Sequence, residues 1–266
     1  MGYWVGRRRP SPAWALALCL LAATRCKAVG GDLNGRASDE WTRSYSLEGK
    51  GEVQIVNSNG TIEVEGVEGS KVEVRAERSA RGATEAVACE LLPRISIKED
   101  VAPDRISIET ERIAGLLIGA SFSVDYHVRA PASALIRVRT ANGSIAVERF
   151  GGRVVLNAVN GQITGRELSG GVEVRTVNGR VDITLRSIGD DPVELRTTNG
   201  PIELALPQNA KVSLTASTVN GPIDATALSL DLMGEQSRRR VRGRLNGGGT
   251  PIDLTTVNGG IHVTAR

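Results

Sequence analysis

Five arginines crowd into seven residues, Arg238-Arg239-Arg240-Val241-Arg242-Gly243-Arg244. A guanidinium is a planar fork of donors that meets two oxygens of a phosphate at once. Arg238, Arg239, Arg240, Arg242 and Arg244 are therefore a candidate anion site for the phosphates of lipopolysaccharide, anionic lipid or nucleic acid. The plainer reading of the same run is a solvated insertion loop. Carboxylates offer a second chemistry. Asp182, Glu203 and Asp224 each follow an Asn-Gly step at the same distance. On consecutive strands they would repel one another unless Ca²⁺ or a basic partner lay among them. The Gly-Gly-x-Gly-x-Asp signature of calcium-binding β-rolls is missing, so a face balanced by nearby Arg and Lys is the simpler expectation. Asp190-Asp191 could act as the acid and base of a polysaccharide-cleaving β-helix. Their flanks, Gly189 and Pro192, fit a solvent-facing turn better.

The two histidines, His127 and His262, lie far apart and lack partners at metal-ligand spacing. His262 falls in the same outward column as the acids and is expected at the surface. Cys89 sits in an Ala-rich segment and fits a buried, inert thiol. No Ser-His-Asp order, phosphate loop, dinucleotide fingerprint or zinc motif is present. The chain reads as non-enzymatic, with no catalytic residue, no metal ligand and no cofactor expected.

Composition narrows the partners. Aromatics make up 3% of the 266 residues against 40% hydrophobic overall. Glycan grooves and base-stacking platforms rely on exposed rings, so both lose weight. Arg7-Arg8-Arg9, the apolar run Ala13–Ala23 and the small-x-small step Cys26-Lys27-Ala28 read as a signal peptide over 1–28, cleaved after Ala28. Eleven apolar residues are too few to span a bilayer, and Arg25 before Cys26 breaks the lipoprotein pattern. That segment carries Arg7, Arg8, Arg9, Arg25 and Lys27 and no acid, so the mature chain holds 28 basic against 30 acidic groups. Nucleic acid is therefore not an expected partner of the whole molecule. Cys89 alone remains after cleavage, which leaves no intramolecular disulfide.

What must position these residues is a repeat. Asn-Gly-x-Ile/Val recurs at Asn142, Asn160, Asn178, Asn199, Asn220 and Asn258, in steps of 18, 18, 21, 21 and 38, with an isolated copy at Asn59. A period near twenty residues marks a stacked solenoid. Six residues before each Asn stand Ile136, Val154, Val172, Val193, Leu214 and Ile252; two before stand Thr140, Ala158, Thr176, Thr197, Thr218 and Thr256. Polar residues fill the alternate positions, the pattern of a half-buried strand. A second strand follows each Asn-Gly, as at Val181 and Ile183. Gly and Asn suit a corner because both tolerate positive φ, and the opposite corner is Gly-rich at Gly151-Gly152, Gly170-Gly171 and Gly247-Gly248-Gly249. An Asn-Gly step also suits a two-residue hairpin, so an antiparallel meander is the rival. Matched columns favour parallel strands in register, with the six Asn forming a turn ladder ~4.8 Å apart.

Elsewhere the pattern loosens. Residues 29–45 read as a polar leader and 51–77 as one more rung. Residues 78–92 have helical spacing before Pro93. Strands are expected at Ile95–Ile97, Ile106–Ile108 and Phe122–Val128, with an apolar loop from Ile113 to Ala120. Residues 228–246 interrupt the last rung and are expected to protrude. The terminal strand Ile261–Ala265 is expected to leave an open edge for self-association.

The T-x-N-G-x-I-x-V units, the Ala-rich segment, the entry Val128-Arg129-Ala130-Pro131 and the last rung Gly247-Gly248-Gly249-Thr250-Pro251-Ile252 resemble the bacterial "putative adhesin" family of unknown-function β-solenoids. The resemblance covers about residues 45–266. It implies an exported, right-handed β-helix-like protein and carries over no catalytic residues. The expected architecture is all-β: a single parallel β-solenoid over 46–266, made of short rungs with Asn-Gly corners and one short helix near 78–92. The expected role is an exported envelope protein (periplasmic, outer-membrane or extracellular) presenting a repetitive surface to an envelope ligand such as a glycan or anionic lipid. A self-assembling structural protein and a polysaccharide-active β-helix are the alternatives.

Overall fold

Val, Ile and Leu at every second position make each short strand apolar on one side only, so a strand gains stability when another layer covers that side. The computed structural model describes residues 27–28, 35–111, 119–233 and 237–266. It covers those faces with two eleven-stranded sheets packed against each other. Among the described residues no helix is long and apolar enough to cross a membrane.

Eight rungs run through the stack, each a strand of the front sheet followed by a strand of the back sheet. In spatial order the front strands are Arg105–Thr110, Glu52–Asn59, Leu135–Asn142, Val154–Asn160, Val172–Asn178, Val193–Asn199, Thr250–Asn258 and Val212–Asn220. Their back partners are Ser121–Pro131, Ile62–Val67, Ile145–Glu148, Ile163–Leu168, Val181–Leu185, Ile202–Leu206, Ile261–Ala265 and Ile223–Asp224. Neighbours are parallel and in register: Ile136, Val154, Val172 and Val193 align across four rungs, as do Val138, Leu156, Val174 and Leu195. All are buried. The meander is excluded and the parallel solenoid holds.

The chain does not climb the stack in sequence order. Rung 1 (105–131) lies outside rung 2 (52–67), and rung 7 (250–265) slots between rung 6 and rung 8. The 38-residue step thus reflects a rung laid down last and filed inside. Ile261–Ala265 is consequently an edge only in part: Ile202–Leu206 flanks it along its length, while on the other side Ile223–Asp224 pairs with Ile261 and His262 alone. Antiparallel strands cover the front-sheet ends and one end of the back sheet. Ile97–Ala102 pairs outside rung 1 in the front sheet, and Lys71–Gly82 followed by Gly35–Ser46 does so in the back sheet. At the other end Arg240–Leu245 and Leu230–Leu232 extend the front sheet beyond rung 8. These antiparallel strands cover edges that the parallel rungs would otherwise offer.

Several local expectations change. Of the stretch expected to protrude, 228–246, the described parts, 228–233 and 237–246, fold back to form that terminal pair, because Leu228, Leu230 and Leu245 pack on the core end. The polar leader is largely strand Gly35–Ser46, with Ala37 buried and Trp41 and Tyr45 packed against the core. The helix is shorter than 78–92. Arg78–Gly82 are held in Lys71–Gly82, paired on both sides, and Thr84 caps a helix over Glu85–Leu91 that ends in a 3-10 turn, Leu92–Arg94. The strand after it begins at Ile97 rather than Ile95. Residues 113–118 of the expected Ile113–Ala120 loop, and residues 1–26 of the expected signal peptide, lie outside the described residues.

Candidate functional site

The corner after each front strand carries the most regular chemistry. Each Asn side-chain amide donates to the Asn Oδ1 of the next rung toward rung 2, in the order Asn220, Asn258, Asn199, Asn178, Asn160, Asn142 and Asn59, at 2.7–2.9 Å. The main chain runs the other way. The N–H of Gly143 donates to the Asn160 carbonyl, and Gly161, Gly200 and Gly259 repeat the contact one rung further on. Side-chain and main-chain amide dipoles therefore oppose each other along the corner, so the ladder accumulates little net dipole. The Asn residues do not take positive φ. Their place is set by the ladder rather than by turn conformation. The Gly residues answer to space: a Cβ on Gly161 or Gly179 would lie 1.9 or 2.0 Å from the carbonyl oxygen of the Gly one rung before.

Behind the ladder runs the Thr file. Thr197, Thr256 and Thr218 donate to the carbonyls of Gly179, Gly200 and Gly259 at 3.0–3.1 Å. Thr140 and Thr176, which flank Ala158, have buried hydroxyls without a partner. In rung 2 the same position holds Asn57, whose amide donates to Asn59 O and Val124 O.

The acidic column is not continuous. Because rung 7 is filed inside, the outward row reads Asp182, Glu203, His262, Asp224. His262 Nδ1 lies 3.3 Å from Asp224, and Arg180 pairs with Glu203. Hydrogen bonds from the Thr226 hydroxyl and backbone, with His262 adding a smaller pull, hold the Asp224 carboxyl below its ordinary range. His127, at the far end of the same row, sits 3.0 Å from Glu63. Both histidines are about half exposed. Among the described residues no group of three or more His, Cys, Asp or Glu is placed to hold a metal ion. Cys89 is only half-buried against the core.

Asp190 and Asp191 lie in bends on the edge opposite the Asn ladder. There a furrow of about 610 Å³ gathers Lys50, Arg149, Arg153, Glu167, Arg186 and Asp191. Arg149 and Glu167 adopt φ of 62° and 54°, as the chain leaves the back sheet. This gathering is invisible in the sequence, since its members come from five different rungs or turns. The one local signal is the shared pattern of a charged residue, an apolar residue and two nearby Gly, as in Arg149-Phe150-Gly151-Gly152.

The candidate anion run divides. Arg238 and Arg239 form the tight turn bridged by Ser237 and Arg240, and their carbonyls accept from Ile223 N and Thr218 N. Arg240, Arg242 and Arg244 alternate along the next strand and face outward opposite Ser217, Thr215 and Ser213.

A different polar cluster closes the first end of the stack, and sequence reasoning missed it. Arg78 pairs with Asp39 at 2.7 Å and donates to Ile95 O at 2.8 Å, with side chains only 15% and 6% exposed. Tyr126 Oη, buried, lies 2.7 Å from Thr110 Oγ1. Burial pushes the Tyr126 phenol up to about 12, against smaller downward pulls from Thr110 and Arg78. Tyr45 and Arg43 both reach Glu99, joining the two sheets across the opening.

A family model described as Toastrack DUF4097 matches residues 45–264. No curated protein matches the sequence. Among solved structures, one described as a "putative cell adhesion protein" from Clostridium sporogenes covers 86% of this chain and 100% of its own, with TM-score 0.52 and 11% identity. A "putative adhesin" from Bacteroides fragilis covers 86% and 97% with TM-score 0.26 and 9% identity. A "putative lipid binding protein" from Parabacteroides distasonis covers 84% and 96% with TM-score 0.29 and 11% identity. At 11% identity the Clostridium sporogenes structure bears on the fold alone.

Proposed function

Because the chain belongs to the Toastrack DUF4097 family, a β-solenoid-like fold, we propose that it is a non-enzymatic, exported cell-envelope scaffold whose regular outer faces bind a surface ligand. One observation carries the reading: eight rungs in register place outward side chains at a fixed pitch of ~4.8 Å over a span of roughly 34 Å. A rigid comb of this kind adds many weak contacts by avidity without an ordering cost at each one. The basic, apolar leader over 1–28 supports export. The adhesin names attached to proteins of similar fold agree with a binding role.

The test is recovery of envelope material. Immobilised protein starting at Val29 is expected to retain a component of its own envelope fraction, glycan or lipid, that an unrelated β-solenoid of equal charge does not. Equal retention by both would remove the proposal. The furrow favours one second reading, since it brings Glu167 and Asp191 beside Arg153 and Arg186. A polysaccharide-cleaving role for it predicts soluble products from envelope glycans and their loss in Glu167→Gln/Asp191→Asn.

A further inference from the structure

Every corner of the Asn ladder carries an Asn-Gly step, the dipeptide at which an Asn amide is most easily lost. Gly has no side chain to shield its backbone nitrogen, so that nitrogen can close on the Cγ of the preceding Asn. Ring closure forms the N–Cγ bond, expels the side-chain nitrogen as ammonia and leaves a succinimide. Water then opens the ring to Asp or isoaspartate, so an amide and water become a carboxylic acid and ammonia with no change of oxidation state. The attacking nitrogen must first give up its proton and swing toward its own Asn. A hydrogen bond from that N–H to another rung opposes both. The N–H groups of Gly60, Gly143, Gly161, Gly179, Gly200 and Gly259 are held in this way, each donating to the Asn carbonyl of the next rung at 2.9–3.0 Å. All these bonds point toward rung 8, so the last corner has no rung to donate to. Among the described residues the Gly221 N–H has no acceptor. The turn beyond it takes the N–H groups of Thr218 and Ile223 on the carbonyls of Arg239 and Arg238, and passes over Gly221 between them. Asn220 is exposed, and its Oδ1 has no donor either.

We propose that Asn220 is a site of spontaneous covalent modification, converting to Asp or isoaspartate through attack by the Gly221 nitrogen while the other ladder Asn are preserved. Local sequence cannot make this selection. Thr176-Val177-Asn178-Gly179, Thr218-Val219-Asn220-Gly221 and Thr256-Val257-Asn258-Gly259 are the same tetrapeptide, and only their places in the stack differ. One further step, Asn246-Gly247, lies outside the ladder. Its side-chain amide donates to Gln208 O at 3.1 Å and Ala210 O at 2.9 Å, which anchors the leaving group. At Asn220 either product loses the donor that reaches Asn258 Oδ1 at 2.8 Å and sets a carboxylate against that acceptor. Isoaspartate also adds one carbon to the main chain just before Ile223–Asp224, the two-residue strand that completes rung 8. Modification therefore loosens the outermost rung and leaves the interior ones intact. The inference goes beyond the scaffold reading and requires no ligand.

The experiment ages the full chain in mildly alkaline heavy-oxygen water, folded in one sample and unfolded in guanidinium chloride in the other. Heavy oxygen enters when the ring opens, so mass spectrometry of the peptides marks each converted residue, and electron-driven fragmentation tells isoaspartate from Asp. In guanidinium chloride Asn178, Asn220 and Asn258 should convert at one rate. In the folded chain Asn220 should convert about tenfold faster than Asn178 or Asn258, the factor that one backbone hydrogen bond is worth. Asn246 should lag behind Asn220 as well. Asn220→Gln, whose longer side chain closes a ring far more slowly, should remove the leading signal and leave the rates at Asn178 and Asn258 unchanged. Equal rates at the three matched steps of the folded chain overturn the proposal, and so does an interior Asn or Asn246 converting ahead of Asn220. A folded chain in which Asn220 stays unconverted while the unfolded sample reacts to completion overturns it too.

Discussion

At the scale of single residues the corner hydrogen bonds separate positions that look identical in sequence. Thr197 and Thr176 occupy the same file, yet only Thr197 has a partner. Thr197→Val is expected to cost about 1 kcal/mol, whereas Thr176→Val should be neutral or stabilising, since it replaces an unmet buried hydroxyl with a methyl. Urea unfolding of the two variants decides this. An Asn in mid-ladder makes two side-chain contacts and a terminal one makes a single contact. Asn178→Ala should therefore destabilise by about twice as much as Asn220→Ala, on the order of 1–2 kcal/mol against half that. Tyr126 sets a pH limit. Its phenol ionises near 10 in the unfolded chain and about 12 in the folded one, so between those values the unfolded state has lost a proton that the folded state keeps. Stability is full below pH 10 and falls as pH rises through that window. A Tyr126→Phe variant loses this alkaline slope, and a late-titrating phenol seen by tyrosinate absorbance in the parent should vanish with it.

Elements differ in how plainly the sequence announces them. The files headed by Ile136 and Thr140 could be read directly, because a parallel stack places each repeat under the same physical demand. The terminal pieces could not. Gly35–Ser46 looks polar because its inward file mixes Ala37, Trp41 and Tyr45 with the charged Asp39, and Arg78–Gly82 has helical spacing while being pinned in a strand. Antiparallel caps are fixed by partners distant in sequence, so local composition says little about them. The furrow was hidden for the same reason. The Arg78–Asp39 pair shows the energetic weight of these caps. Removing one partner strands a charge among buried atoms, so Asp39→Ala is expected to cost about 3–5 kcal/mol. Arg175→Ala, on the exposed front face, should cost less than about 1 kcal/mol. Thermal melting of both variants makes the comparison.

For the whole molecule, stability is spread along an axis, each rung leaning on two neighbours. Order in space and order in sequence part company at both ends, at rung 1 and at rung 7. Contacts that span so many residues slow folding, since long loops must close before they form. The sequence period revealed the stack but not this permutation, because a rung's pattern records which neighbours it suits and not when it arrives. Residues Thr250 to Arg266 follow rung 8 in the sequence, yet they become an interior plank. A protease nick or early stop codon near Gly248 would therefore remove a middle course of the wall and leave its coping stone unsupported. Loss of residues 250–266 should leave rungs 1–6 paired but strip rung 8 and the terminal strands of their support, lowering the melting temperature further than loss of rung 8 alone, which would merely shorten the stack. The architecture thereby makes the late arrival of rung 7 a condition for seating rung 8, which precedes it in the chain.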